Sequence, residues 1–212
     1  MINKVENSTE TYLITPSLLN AWGYIWYCES NVKEAESDLV CLEDKILIAR
    51  EKAYNDFLNA LNRVSTPPNK YMLEGIKFEE ECYKGNTCIS PIIDNGSFQI
   101  VGKKEVNIDG MNFLMYGRLD VLKGGTIYDI KRVVRYSLPK YKNSYQHRFY
   151  LDLFPSAYKF TYLIYDGYKL HKETYYRDET IATEIIIHNF IEWLKQNNLI
   201  DLYKEKWKCK IY

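Results

Sequence analysis

The sequence predicts an α/β or α+β domain with a mixed central β-sheet flanked by helices and an N-terminal helical region, on three observations. Apolar residues recur at helical spacing through the first third, the middle switches to period-two alternation around Asp109-Gly110, and a strand pair followed by an amphipathic segment closes the chain.

Taken in order, Thr15-Pro16-Ser17 is a cap-like start with Pro near the first turn, and Leu18, Leu19, Trp22, Ile25 and Trp26 then follow at helical spacing. The charged stretch Glu29 to Asp44 leads into a second helix carrying Ile46, Ala49, Ala53, Phe57 and Leu61. Thr66-Pro67-Pro68-Asn69 punctuates the chain before a third helix from Lys70 to Lys84. Phe98 to Ile108 and Met111 to Leu122 alternate and are joined by Asp109-Gly110, a strong hairpin signal. In the second of these, Phe113, Met115, Leu119 and Val121 share one face, and Arg118 and Asp120 point to the other. Gly124-Gly125 turns the chain into a strand from Thr126 to Val134. A helix from about Asn143 to Phe154, a hairpin (Lys159 to Tyr165, then Tyr168 to Tyr176) and a long helix from Asp178 to about Asn197 complete the pattern.

Composition bounds the function. The 212 residues carry 28 Lys+Arg against 28 Asp+Glu, a balance unlike that of a histone-like or polybasic nucleic-acid coat. With 46% hydrophobic and 26% charged residues the chain can bury one sizeable core, which is expected to form a single domain over 1–212. The five cysteines, Cys28, Cys41, Cys82, Cys88 and Cys209, show no CxxC or zinc-finger spacing, so reduced thiols are expected. No apolar run approaches bilayer length and the first residues lack a signal-peptide core, which makes a cytoplasmic protein with no membrane association the expectation.

The chemistry-bearing residues fall in three places. On the third helix only Glu79 of the Glu79-Glu80-Glu81 run lies on the apolar stripe of Met72, Ile76, Cys82 and Tyr83. An inward carboxylate requires pairing, hydrogen bonds or a metal; the alternative is a helix-edge Glu with its head in water. In the strand from Thr126, Asp129 and Lys131 share a face with Ile130 turned away. Alone, such a triplet is as readily a surface ion pair, but pairing with the preceding strand would bring Asp120 to the same patch. Three carboxylates and a lysine suit phosphodiester hydrolysis with a hard divalent cation, which takes oxygen ligands, activates water and neutralises phosphate charge. His147, His171 and His188 have no metal-ligand spacing.

Four motifs in order, Gly75-Ile76-Lys77-Phe78-Glu79, Gly117-Arg118-Leu119-Asp120, Asp129-Ile130-Lys131 and Gln146-His147-Arg148-Phe149-Tyr150, resemble those of the PD-(D/E)XK nuclease superfamily in its RecB-like and lambda-exonuclease-like branch. The resemblance covers Gly75 to Tyr150 and implies a restriction-endonuclease-like core. The domain would then divide into a helical part (1–69), a catalytic core (70–177) and a C-terminal helix and tail (178–212). It further implies that Asp120 and Asp129 ligate Mg²⁺ or Mn²⁺, with Glu79 doing so directly or through water and the Ile130 carbonyl completing the protein ligands. Lys131 would hold the attacking water and the scissile phosphate, and Gln146 and Tyr150 would support the site or touch DNA. A CRISPR-associated branch of the family binds an iron–sulfur cluster through one Cys near the first helix and three near the C-terminus. Here Cys28 could fill the first place but the C-terminal region offers only Cys209, so no cluster is expected.

From Lys131 to Arg148 the chain holds Lys131, Arg132, Arg135, Lys140, Lys142 and Arg148 with no acid, interleaved with Tyr136, Tyr141 and Tyr145. With Arg118, this run is either a grip for a nucleic-acid backbone or a solvated loop. No G-x-x-x-x-G-K-[ST] loop is present, so no nucleotide cofactor is expected. The leading expectation is a divalent-metal-dependent DNA exonuclease of recombination, repair or phage DNA processing, working as a homo-oligomer or beside a recombination or helicase partner. Its rivals are a structure- or site-specific endonuclease and a catalytically silent DNA-binding scaffold of the same fold.

Overall fold

The structure is a computed structural model and describes residues 10–33 and 39–209, with residues 29–33 and 39–42 described in backbone only. It is α+β, with a mixed six-stranded sheet flanked by helices, as the sequence predicts. The sheet order is β1 (Thr11–Ile14), β3 (Met111–Lys123), β4 (Thr126–Arg132), β5 (Lys159–Tyr165) and β6 (Leu170–Tyr176), with β2 (Ser97–Ile108) paired to β3. The described residues cluster into two compact units.

One unit comprises the described residues up to Ser65, Lys103–Tyr116 and those from Thr183. Its helices are α1 (Pro16–Lys33), α2 (Leu39–Leu61), α6 (Thr183–Gln196) and α7 (Ile200–Trp207). The charged stretch expected between the first two helices is therefore partly helical, and its residues 34–38 and the Cys41 side chain lie outside the described residues. Aromatic packing defines the interior: Trp22 meets Phe190 edge-on at 5.4 Å and Phe57 meets Trp193 at 5.3 Å. β1 pairs parallel with β3 from Thr11↔Asn112 to Ile14↔Met115. Its buried polar ends are satisfied locally, as Tyr203 donates to the Leu13 carbonyl at 2.9 Å and Cys209 N to the Thr11 carbonyl at 2.8 Å.

The other unit, Thr66–Gly102 with Gly117–Ala182, contains α3 (Lys70–Tyr83), the short α4 (Ser90–Ile93), α5 (Gln146–Leu153) and β4 to β6. Asn69 caps α3 by accepting from Met72 N at 3.0 Å. β3 and β4 are antiparallel (Val121↔Tyr128), β4 and β5 parallel (Asp129↔Tyr162), and β5 and β6 antiparallel (Tyr162↔Glu173). A parallel pair needs a crossover, and α5 supplies it between β4 and β5. Under α3, Cys82, Ile89, Ile93, Val121, Ile130 and Leu163 form one buried cluster.

Several boundaries differ from the sequence reading for identifiable reasons. β6 begins at Leu170 rather than Tyr168 because the Asp166 carboxylate accepts the amides of Tyr168 and Lys169 and widens the turn. The long C-terminal helix is a 3₁₀ turn at Arg177–Glu179 followed by α6, since Thr180 closes back on the Arg177 carbonyl through both its amide and its hydroxyl. The predicted apolar stripe of α3 is buried only at its C-terminal end: Cys82 is inside, whereas Met72 and Ile76 are about half exposed.

Candidate active site

Alternation along β4 separates Ile130, which enters the buried cluster, from Asp129 and Lys131 on either side of it. Lys131 Nζ lies 2.7 Å from Asp129 Oδ2. That ion pair is the contact made by the buried Oδ2. The other oxygen, Asp129 Oδ1, accepts from Gln146 Nε2 at 2.6 Å.

The register that pairs Val121 with Tyr128 brings Asp120 level with Asp129, and Asp120 Oδ2 accepts the Ile130 amide at 2.9 Å. Burial, then the charges of Asp129 and Glu79, push the Asp120 carboxyl up to about 8, against the pull of Lys131 and the Ile130 amide. Asp129 is also raised, by burial first, while Lys131 draws it back down. Burial opposes the Lys131 charge, but Asp129 and Asp120 outweigh it and hold the ammonium above the usual lysine range. One buried and one half-buried acid beside a single half-buried cation leave this corner short of positive charge.

Glu79 stands on α3, and its charge adds to burial in raising both aspartates. Its Oε1 accepts from Tyr83 OH at 2.6 Å and from Gln99 Nε2 at 2.9 Å, and Gln99 Nε2 also donates to Tyr83 OH at 2.7 Å. Burial, with Glu79 beside it, holds Tyr83 far above the usual phenol range, so its proton stays in place as a donor. Among the described residues no group of three His, Cys, Asp or Glu side chains is gathered closely enough to hold a metal by itself.

The last motif is integrated through α5. Gln146 reaches Asp129, and Tyr150, four residues on, donates to the Arg118 carbonyl at 2.7 Å. Gly117 makes room for that ring, because a Cβ there would sit 2.7 Å from Tyr150 Cε1. The glycine of one motif and the tyrosine of another are thus complementary shapes.

The arginines divide. The Arg118 and Arg135 residues are exposed. Arg132 is committed internally: it donates to the Val133 and Tyr165 carbonyls and lies over the Tyr165 ring at 5.4 Å. These contacts tie its guanidinium to the end of β4 and to β5.

Sequence reasoning did not see Gln99 and Glu173, and gave Tyr83 and Tyr141 no part in holding the site. Gln99 and Tyr83 hold Glu79, and only the i, i+4 spacing of Tyr83 from Glu79 signalled either. Glu173, 4% exposed on β6, accepts from Tyr136 OH, Lys140 N, Tyr141 N and Tyr175 OH at 2.7–3.0 Å and pins the basic, tyrosine-rich segment after β4. Tyr141 stacks on Tyr162 at 4.4 Å and is pushed up to about 12 by burial, with Lys131 opposing. Of the histidines, His147 is buried against Tyr175 at 4.0 Å and pushed down to about 3 by burial, then by Arg148. Among the described residues Cys28, Cys82, Cys88 and Cys209 form no disulfide. No described helix is long and apolar enough to cross a membrane.

No family model matches the chain, and no curated protein does. Among solved structures, the crystal structure of SSO0001 superposes with a TM-score of 0.53 at 18% identity, covering 89% of this chain and 79% of that one. That likeness is one of fold.

Proposed function

We propose that the chain is a Mg²⁺- or Mn²⁺-dependent deoxyribonuclease, and specifically an exonuclease that hydrolyses phosphodiester bonds from DNA ends. The observation that carries this reading is the convergence of Asp120, Asp129 and Lys131 from adjacent strands, with Gln146 fixing Asp129. The residues suit the cation: Asp129 Oδ2 is a buried oxygen engaged by the Lys131 ammonium, and two neighbouring carboxyls, both raised by burial and by the charge of Glu79, call for positive charge. Mg²⁺ needs only one or two protein carboxylates when water and phosphate fill the remaining positions. Asp120 and Asp129 would hold it, with the Ile130 carbonyl and Glu79 as further oxygen donors.

When bound, the metal would lower the pKa of a water and neutralise phosphate charge. The protein's own contributions follow from the contacts above. Asp129 keeps Lys131 charged and aimed, so that its ammonium can orient the nucleophile and stabilise the developing charge on the scissile phosphate. Gln146 keeps one Asp129 oxygen occupied, which leaves the other as the reactive ligand. Arg135 and Arg118, exposed near the site in sequence, are the cations offered to the DNA backbone. Action in the cytoplasm on recombination, repair or phage DNA, as an oligomer or with a helicase, belongs to the same proposal.

The test uses linear and closed-circular duplex DNA, with and without Mn²⁺, beside Asp129→Ala and Lys131→Ala. Loss of linear DNA alone, dependent on Mn²⁺ and abolished by either substitution, supports the exonuclease. Cleavage of the circle assigns an endonuclease, and DNA binding without any cleavage assigns a scaffold.

A further inference from the structure

Gln99 sits inside β2 with φ +53°. Four other non-glycine residues among those described have positive φ, namely Arg63, Asn95, Asp109 and Asn198, and all four lie in turns. Turns invite that geometry and Asn and Asp tolerate it; a glutamine within a strand does neither. Such a residue breaks the alternation of a strand and re-aims its own side chain, as bulges beside functional sites do. Backbone in this region persists only where surrounding contacts compensate it.

What the geometry achieves is visible in the contacts. Gln99 Nε2 bridges Glu79 Oε1 at 2.9 Å and Tyr83 OH at 2.7 Å, while Tyr83 OH donates to the same Oε1 at 2.6 Å. Three side chains close a ring on one oxygen of the carboxylate. A glutamine at an ordinary strand angle would send its amide elsewhere, and Glu79 would be held by the flexible reach of Tyr83 alone.

We propose that Gln99 is a positioning residue for Glu79: its left-handed backbone brings the amide to Oε1 and so presents Oε2 as the oxygen available to the divalent metal. This rests on the nuclease reading above. Gln99 touches neither metal nor DNA and acts through Glu79. The role is that of the partners that orient metal ligands, whose loss typically weakens metal affinity about 10- to 100-fold.

The experiment titrates Mn²⁺ calorimetrically into the full chain without DNA and records thermal melting of the same samples, for wild type, Gln99→Gly, Tyr83→Phe and Asp129→Ala. Glycine adopts positive φ freely, so Gln99→Gly should melt at or above the wild-type temperature while binding Mn²⁺ about 10- to 100-fold more weakly. A merely structural glutamine gives the opposite pairing, with affinity falling only alongside the melting temperature, and that result overturns the proposal. Wild-type Mn²⁺ affinity in Gln99→Gly overturns it as well. Should Gln99→Gly not fold, Tyr83→Phe takes its place: weakened Mn²⁺ binding supports the ring and unchanged binding overturns it. Asp129→Ala separates the two readings. If it loses Mn²⁺ while Gln99→Gly does not, the positioning role alone fails; if it binds Mn²⁺ like wild type, the metal site itself is wrong and the role of Gln99 goes with it.

Discussion

Gln146 Nε2 donates to Asp129 Oδ1 at 2.6 Å, a bond that ties α5 to β4 and fixes which oxygen of a buried carboxylate is engaged. Gln146→Ala should therefore keep the fold, since the side chain is only half-buried, but let the Asp129 carboxylate turn. The expected outcome is nuclease activity about 10-fold or more below wild type, largely recovered at high Mn²⁺. A steady-state Mn²⁺ titration reads this directly, and an unchanged Mn²⁺ requirement would contradict it.

In the folded chain burial, then the charges of Asp129 and Glu79, push the Asp120 carboxyl up to about 8 from an ordinary 3.8. Between those values the native state holds a proton that the unfolded chain has released. The corresponding stabilisation is complete below about pH 4 and is lost as pH rises through 8. The metal-free protein should thus melt at progressively lower temperature over that window. Asp120→Asn should flatten the decline, and Mn²⁺ should oppose it most at the alkaline end, because binding displaces the proton. Melting curves across pH 4–9 with and without Mn²⁺ test both signs.

Gly117 and Tyr150 fit only because position 117 has no side chain. Gly117→Ala places a methyl 2.7 Å from the ring and should cost about 1–3 kcal/mol, read by urea denaturation, as the ring shifts from the Arg118 carbonyl. A neutral substitution would mean that the ring yields freely and that Tyr150 does not brace the site.

Arg132 and Arg135, three residues apart, should behave differently. Arg135→Ala should leave stability within about 0.5 kcal/mol of wild type and reduce the salt slope of duplex binding by about 0.9. Arg132→Ala removes a guanidinium bound to two carbonyls and lying over Tyr165, and should lower stability by about 2 kcal/mol. Salt-dependent binding isotherms and denaturation curves, taken on both variants, distinguish the roles.

Much of this architecture was legible because strong periodicities and turn chemistry act locally. Asp109-Gly110 and Gly124-Gly125 mark the turns flanking β3, and the alternation of Phe113, Met115, Leu119 and Val121 matches its buried positions. Asp120, Asp129 and Lys131 were readable as a set because the pleat of β3 and β4 fixes their faces, and i, i+4 spacing put Gln146 and Tyr150 on one face of α5, while only the motif resemblance linked that pair to the acids. Elements secured by distant contacts were not. β1 is four residues long and is held through β3 and α7, α4 spans a single turn, and α7 follows α6 after a three-residue break. For Arg132, expected to touch DNA or to support the site, nothing local announces its bond to the Tyr165 carbonyl, 33 residues away. Gln99 and Glu173 were invisible for related reasons: one depends on a backbone angle that strand alternation does not encode, the other on four donors from segments that meet only in the fold.

The central claim is that Asp129 serves metal-dependent DNA hydrolysis. Its most direct test is single-turnover cleavage of end-labelled linear duplex DNA at saturating Mn²⁺ by wild type and Asp129→Ala, each shown folded by circular dichroism. The expected result is Mn²⁺-dependent cleavage by wild type and a rate lower by about 10²-fold or more in the variant, with DNA binding retained. Equal cleavage by the two proteins, or none by either, would contradict it.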